Sequence, residues 1–111
     1  MPFQLFRTID IGSVAAGATG EQSWTSDGDY TIHRIYLVEK TGASINSVEV
    51  TIRLDGTLLS RDYVPAVILG VAHVNNPVID VSIKNGQKIT FGVKNNETGA
   101  RALYAVLELW A

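Results

Sequence analysis

The feature of the sequence that most restricts its fold is an alternation of apolar and polar residues along almost the whole chain. The pattern covers the segments 3–11, 47–54, 78–84, 88–94 and 101–110. Residues two positions apart point to the same face of a β-strand. In the last segment, this period puts Leu103, Ala105, Leu107 and Leu109 on the buried face. No segment has a convincing helical period, so the sequence predicts an all-β fold.

Turn residues separate these segments, at Asp27-Gly28, Thr41-Gly42, Asp55-Gly56, Asn85-Gly86 and 95–99. Asp55-Gly56 predicts a two-residue hairpin loop that pairs Ile52 with Leu59. About eight strands with regular turns, including a short strand around Trp24, indicate a two-sheet antiparallel sandwich with jelly-roll, Greek-key topology. An immunoglobulin-like sandwich is the competing topology. We expect residues 1–111 to form one domain.

Two breaks in the alternation carry topological information. A two-residue loop at Asn85-Gly86 would pair Ile83, an inward residue, with Lys88, an outward residue. Paired residues lie on the same face of a sheet, so the two patterns would conflict. Either the loop has three residues, or the two strands belong to opposite sheets. In 30–40 the inward parity changes at His33-Arg34, which predicts a bulge or a strand that turns a sandwich corner.

Composition excludes several classes of function. A chain of 111 residues that is 46% hydrophobic and 18% charged is a globular domain, and its net charge of -2 predicts no nucleic-acid partner. The absence of cysteine excludes disulfides and thiolate metal sites. No apolar run approaches the roughly 20 residues that span a membrane. The first seven residues lack the features of a signal peptide, so we expect neither a leader nor a membrane partner.

The residues that support catalysis are few and scattered. The only histidines, His33 and His73, fall on different elements without metal-ligand spacing, and no serine lies in a nucleophile elbow. The carboxylates mostly alternate outward on strands, as solvated residues do, and Asp27-Gly28-Asp29 reads as a turn and not as a calcium loop. We therefore predict no enzymatic activity, no metal and no cofactor. A small hydrolase or isomerase has no motif in its favour.

Two apolar regions predict contact with another chain. The almost continuous apolar segment 63–72 is either a buried crossover or a surface covered by a neighbouring subunit, with Val64, Val67, Ile68, Leu69 and Val71 as its contact residues. The outward side of the last strand carries Tyr104, Val106 and Trp110 beside Glu108. Aromatic residues are enriched in interface cores. The alternative is that a loop or the first strand covers them.

An exposed aromatic platform would give the chain a different role. Trp24, Tyr30, Tyr36 and Tyr63 are the candidate ring residues for stacking on sugars. Sandwich grooves host such sites, and the fold class alone does not decide between assembly and carbohydrate binding.

The order of turn and strand signatures resembles a known group of proteins. The signatures are Ala15-Ala16-Gly17-Ala18-Thr19-Gly20 before Trp24, Asp27-Gly28-Asp29-Tyr30-Thr31-Ile32, Val78-Ile79-Asp80-Val81-Ser82-Ile83, Asn85-Gly86-Gln87-Lys88-Ile89 and Val93-Lys94-Asn95-Asn96. They resemble the small single jelly-roll virion proteins that serve as capsid decoration, penton, turret or spike domains in bacterial and archaeal viruses. Tumour-necrosis-factor-like and carbohydrate-binding jelly rolls share several of these signatures.

The resemblance implies a structural role. It implies a homo-oligomer, a trimer or pentamer, that attaches to other capsid proteins and is located in the virion after assembly in the host cytoplasm. The resemblance carries over no catalytic residue to this chain. The cupins, which share the jelly roll, hold a metal with an H-x-H pair that this sequence lacks.

Overall fold

The computed structural model describes residues 4–55, 57–58, 63–70 and 78–111. Its strands are β1 (Gln4–Val14), β2 (Thr19–Thr25), β3 (Tyr30–Glu39), β4 (Val48–Leu54), β5 (Thr57–Leu58), β6 (Val64–Pro65), β7 (Val81–Ile83), β8 (Lys88–Asn95) and β9 (Arg101–Trp110). One 3₁₀ turn, Ala66–Leu69, follows β6. The all-β prediction is confirmed.

The strands form two antiparallel sheets that pack face to face. The first sheet has the order β1-β9-β3-β7, and the second has the order β2-β8-β4-β5, with β6 also paired to β4. The chain pairs its first strand with its last, then β2 with β8, β3 with β7 and β4 with β5. These nested pairs fall alternately in the two sheets, which is the jelly-roll winding. The predicted jelly roll is confirmed. The short strands β5 and β6 both pair with β4 and together occupy one of the eight strand positions of the fold.

The buried faces of the strands are those that the alternation predicts. On β9, Leu103, Ala105, Leu107 and Leu109 are fully buried, and Phe91 on β8 is the largest fully buried side chain. Each large apolar side chain removed from water stabilises the fold by about 1.5 to 3 kcal/mol. The inward sides of both sheets therefore hold the sandwich together.

Both breaks in the alternation have the predicted kind of cause. Asn85-Gly86 joins β7 of the first sheet to β8 of the second, so the connection is an arch between sheets. In β3, the register with β9 shifts between Ile32 and Arg34, which is a bulge at His33. Leu54 pairs with Thr57, as a two-residue loop at Asp55-Gly56 requires; Leu59 lies outside the described residues.

The strand predicted over 78–84 is shorter in the structure. Only Val81–Ile83 pairs with β3, because Asp80 takes a left-handed backbone conformation with φ 48° and Ile79 N–H donates to the His33 carbonyl at 2.8 Å. The bulge in β3 thus ends the ladder with β7. As a result, the Asp80 side chain lies beside His33.

Two polar side chains fasten the strand ends. Asn95, fully buried at the end of β8, donates from Nδ2 to the carbonyls of Val14 and Gly99 at 2.9 and 3.0 Å. At the end of β3, the Glu39 carboxylate accepts hydrogen bonds from Thr41 Oγ1 at 2.5 Å, and from the backbone N–H groups of Thr41 and Ala102 at 2.6 and 2.8 Å. The Thr41 hydroxyl, together with these N–H groups, lowers the pKa of Glu39 from 4.5 to about 2.

Replacement of Glu39 by Gln tests this carboxylate anchor. Because the pKa is lowered on folding, the charged Glu39 stabilises the native state above pH 4.5, and this contribution is lost as the pH falls towards 2. We expect Glu39→Gln to lower the free energy of unfolding by about 1 to 3 kcal/mol at neutral pH. Urea unfolding across this pH range measures the difference, which should vanish near pH 2. The exposed Glu21→Gln is the control, and a Glu39→Gln penalty that does not change with pH contradicts the anchor.

Candidate interaction surface

The two solvent-side faces of the sandwich differ in chemistry. The outer face of the second sheet is polar, with Glu21, Ser23, Glu49, Thr51, Arg53, Thr90 and Lys94. Ser23 and Thr90 share a hydrogen bond of 2.8 Å, and Arg53 Nη1 lies 3.5 Å from Glu21 Oε2. Thr51 Oγ1, in contrast, is buried without a hydrogen-bond partner, so this face is polar without being fully paired.

The outer face of the first sheet groups aromatic and aliphatic side chains from β1, β9 and β3, together with the polar Thr8, Asp10 and Arg34. We call it the aromatic face; its residues are Phe6, Tyr36, Val38, Tyr104, Val106, Glu108 and Trp110. The register brings them together, since Val106 is opposite Tyr36 on one side and Thr8 on the other. Phe6 is 59% exposed and Trp110 is 38% exposed. Large exposed aromatic side chains grouped on one face are a sign of an interaction site.

Glu108 lies near the middle of this face and is buried there. Its side chain is 7% exposed. Trp110 Nε1 donates to Oε2 at 3.0 Å, and Tyr36 OH donates to Oε1 at 3.3 Å. The alternation places Glu108 outward, as predicted, but its interpretation as an ordinary solvated residue is wrong because aromatic neighbours on β3 and β9 shield the carboxylate from water.

The bulge in β3 places the His33 side chain beside Glu108 and Trp110. His33 Nδ1 lies 2.6 Å from Asp80 Oδ1, and Nε2 lies 3.9 Å from Glu108 Oε2. The imidazole ring centroid is 5.2 Å from that of Trp110. The parity break at His33-Arg34 is the sequence signal of this placement, but it does not identify Asp80 or Glu108 as neighbours. His73 lies outside the described residues.

An ion pair between Lys40 and Asp10 lies at the opposite end of the aromatic face, beside Tyr104. Lys40 Nζ lies 2.6 Å from Asp10 Oδ1 and 4.5 Å from the ring centroid of Tyr104. The hydrogen bond between the two charged groups lowers the pKa of Asp10 and raises that of Lys40. Both groups are therefore ionised at neutral pH, and their charges offset each other.

The structure separates the two predicted groups of contact residues. Tyr104, Val106 and Trp110 do share the aromatic face. Val64, in contrast, lies on β6 beside β4 of the second sheet, partly buried against the core. Val67 is partly buried in the 3₁₀ turn.

Leu69 is removed from the candidate interface. It is 2% exposed within the chain, because the 3₁₀ turn packs against β3 and β4. This is the buried-crossover interpretation of the apolar segment, and the subunit-contact interpretation is wrong for Leu69. The side chain of Ile68 and the whole of Val71 lie outside the described residues.

Sequence reasoning missed Phe6 and Val38. Phe6 has the opposite parity to Leu5, Ile9 and Ile11, which are the alternating apolar residues of the segment 3–11 and face the core. That parity is the signal for an outward Phe6. Val38 was not identified because its neighbours across the sheet, above all Tyr104, are revealed only by strand pairing.

The predicted aromatic platform is spread over three places. Trp24 and Tyr30 lie with ring centroids 6.5 Å apart and are partly buried against the core, and Arg7 covers the Trp24 ring at 5.6 Å. Tyr36 belongs to the aromatic face. Tyr63 lies 5.9 Å from Lys94 Nζ beside the second sheet. These four rings do not form one stacking surface.

A shallow hollow of about 170 Å³ adjoins the aromatic face at Trp110. Its lining is Asp29, Tyr30, Thr31, Ser82, Lys84, Trp110 and Ala111. It arises because the small Thr31 side chain lies between Trp110 and Ser82 in the sheet. Hydroxyl, carboxylate and ammonium groups beside an indole are the kinds of group that contact a sugar.

The part of the chain that the structure describes contains no group of three or more His, Cys, Asp or Glu side chains that could hold a metal ion. It also contains no helix long and apolar enough to cross a membrane.

The comparisons with known proteins assign no family to the chain. No family model and no curated protein matches the chain significantly. Among solved structures, the core of Drosophila NLP, studied for pentamer formation and histone binding, is similar with a TM-score of 0.46 and 15% sequence identity. The match covers 94% of this chain and 96% of that one.

Proposed function

We propose that this chain is a non-enzymatic assembly domain that associates with copies of itself through the aromatic face. The observation that carries the proposal is the contrast between the outer faces. The outer side chains of the second sheet are mostly polar, whereas the first sheet exposes Phe6 and Trp110 beside Tyr36, Tyr104 and Val106.

Burial of this face is energetically favourable. Removal of apolar surface from water contributes about 25 cal/mol per Å², and Trp and Tyr are the residues that most often dominate binding energy. Trp110 and Tyr36 are already held in place by hydrogen bonds to Glu108. Their side chains therefore lose little conformational freedom when a partner covers them.

Charge and size both favour a second copy as the partner. The charges of Lys40 and Asp10 at the edge of this face offset each other within one chain, so this ion pair does not repel its counterpart in a second copy. Three strands of about ten residues, spaced about 4.8 Å apart, give a face of about 500 Å². Two such faces bury about 1,000 Å², the lower limit for a specific interface.

We further propose that the assembled domain is a structural component of a virus particle, as a trimer or pentamer bound to other capsid proteins. The support is the jelly-roll winding, which occurs in viral capsid proteins, together with the resemblance in turn and strand signatures. Lectins and cupins have the same winding, so the fold supports the virion role without deciding it.

Mutation of the aromatic face tests self-association. Wild-type protein should form a defined oligomer at micromolar concentration in sedimentation velocity. Phe6→Ser and Val106→Lys should each raise the dissociation constant at least tenfold, which corresponds to about 1.4 kcal/mol. Thr25→Lys, an exposed position on the other sheet, is the matched control and should leave the constant unchanged. A wild-type protein that stays monomeric at high micromolar concentration, or variants that associate normally, would contradict the proposal.

Carbohydrate binding is the second candidate, favoured by the hollow beside Trp110. If the chain functions only in assembly, we expect it to bind no sugar on a glycan array. A sugar that is retained by the wild type and lost by Lys84→Ala, which removes the ammonium group from the lining of the hollow, would establish the second candidate instead.

The virion role has its own measurement. Quantitative mass spectrometry of purified virus particles from the organism that encodes the chain should find it in a fixed ratio to the major capsid protein. Its presence in infected cells and absence from the particles would contradict this role, while the self-association results would stand.

A further inference from the structure

We infer that assembly through the aromatic face takes up a proton at the His33–Glu108 pair, so that association strengthens as the pH falls. The inference rests on the proposed self-association. It concerns the polar cluster of His33, Asp80 and Glu108 at the aromatic face.

The cluster is placed so that a partner would cover it. Glu108 lies opposite Phe6 on β1 and Arg34 on β3, near the middle of the face. His33 is 24% exposed in the single chain, with its ring against Trp110. A partner that contacts Phe6 and Trp110 therefore also removes water from His33 and from the remaining edge of Glu108.

The charged and titratable neighbours of His33 come from three elements. Asp80, before β7, contacts Nδ1 at 2.6 Å, and Glu108, on β9, lies 3.9 Å from Nε2. Arg34 and Tyr36, on β3, are the groups on its own strand, and Tyr36 donates to Glu108. Among the described residues, no further ionisable side chain is recorded in contact with the imidazole.

The charge count of this cluster gives the direction of the coupling. With a neutral imidazole, the two carboxylates that contact it carry two negative charges. With an imidazolium, the sum is one negative charge. Because burial of uncompensated negative charge is unfavourable, the covered state favours the protonated cluster. Protonation of Glu108 in place of His33 gives the same sign, because either event removes one negative charge.

The coupling follows from linkage. When the oligomer binds more protons than the free chains, the association constant increases as the pH decreases, by up to about tenfold per pH unit for each proton taken up. Imidazole groups ordinarily change charge between about pH 5 and 8. The effect should therefore appear in that range.

Sedimentation equilibrium at about pH 5.5, 6.5 and 7.5 tests the inference, with circular dichroism as the check on folding. Wild-type association should strengthen at least tenfold from the highest to the lowest pH. His33→Gln keeps an amide that can donate to Asp80 but cannot titrate, and its association should vary less than threefold. Glu21→Gln, on the polar sheet, is the control and should keep the wild-type dependence.

A second variant and a second measurement test the inference independently, in case His33→Gln does not fold. Glu108→Gln keeps the size of the side chain and its ability to accept from Trp110, and it should associate at pH 7.5 as strongly as the wild type does at the lowest pH. Calorimetric dilution of wild-type oligomer in two buffers of different ionisation enthalpy should report about one proton released per chain.

The outcomes separate this inference from the function on which it rests. Wild-type association that is independent of pH, with no proton released on dilution, overturns the inference and leaves self-association intact. Association that weakens as the pH falls also overturns it. Absence of association at every pH overturns both.

Discussion

The pairing of β9 between β1 and β3 is the interaction on which the rest of the structure depends. Every second residue of β9, from Leu103 to Leu109, is fully buried between the sheets. A shift of one residue would turn this whole row outward, so burial determines the register of all three strands. The same register determines which residues share the aromatic face. The core of the sandwich and its candidate interaction surface are thus two sides of one strand.

Much of this arrangement is predictable from the sequence because it is local. The alternation identifies the inward residues of β4, β8 and β9, and two conflicts of parity predict the arch at Asn85-Gly86 and the bulge at His33. Tyr104, Val106 and Trp110 are identified as one surface for the same reason. A period of two needs no knowledge of which strands are neighbours.

The remainder depends on strand order, which the alternation does not contain. The burial of Glu108 requires Tyr36 from a strand 72 residues away in sequence, and the approach of Asp80 to His33 requires the pairing of β3 with β7. Leu69 was assigned to a possible contact surface because an apolar run looks the same whether its own chain or a partner covers it. The packing of the 3₁₀ turn on β3 and β4 decides this.

The central claim, that a second copy covers the aromatic face, is tested most directly by the accessibility of Trp110. The chain has two tryptophans, so a Trp24→Phe variant leaves Trp110 as the only indole. Acrylamide quenching of its fluorescence should decrease several-fold as the protein is concentrated through its association range, whereas quenching of Trp110 in a Trp24→Phe/Val106→Lys variant should not change over the same concentrations. Trp110 quenching that does not change with concentration would contradict the claim.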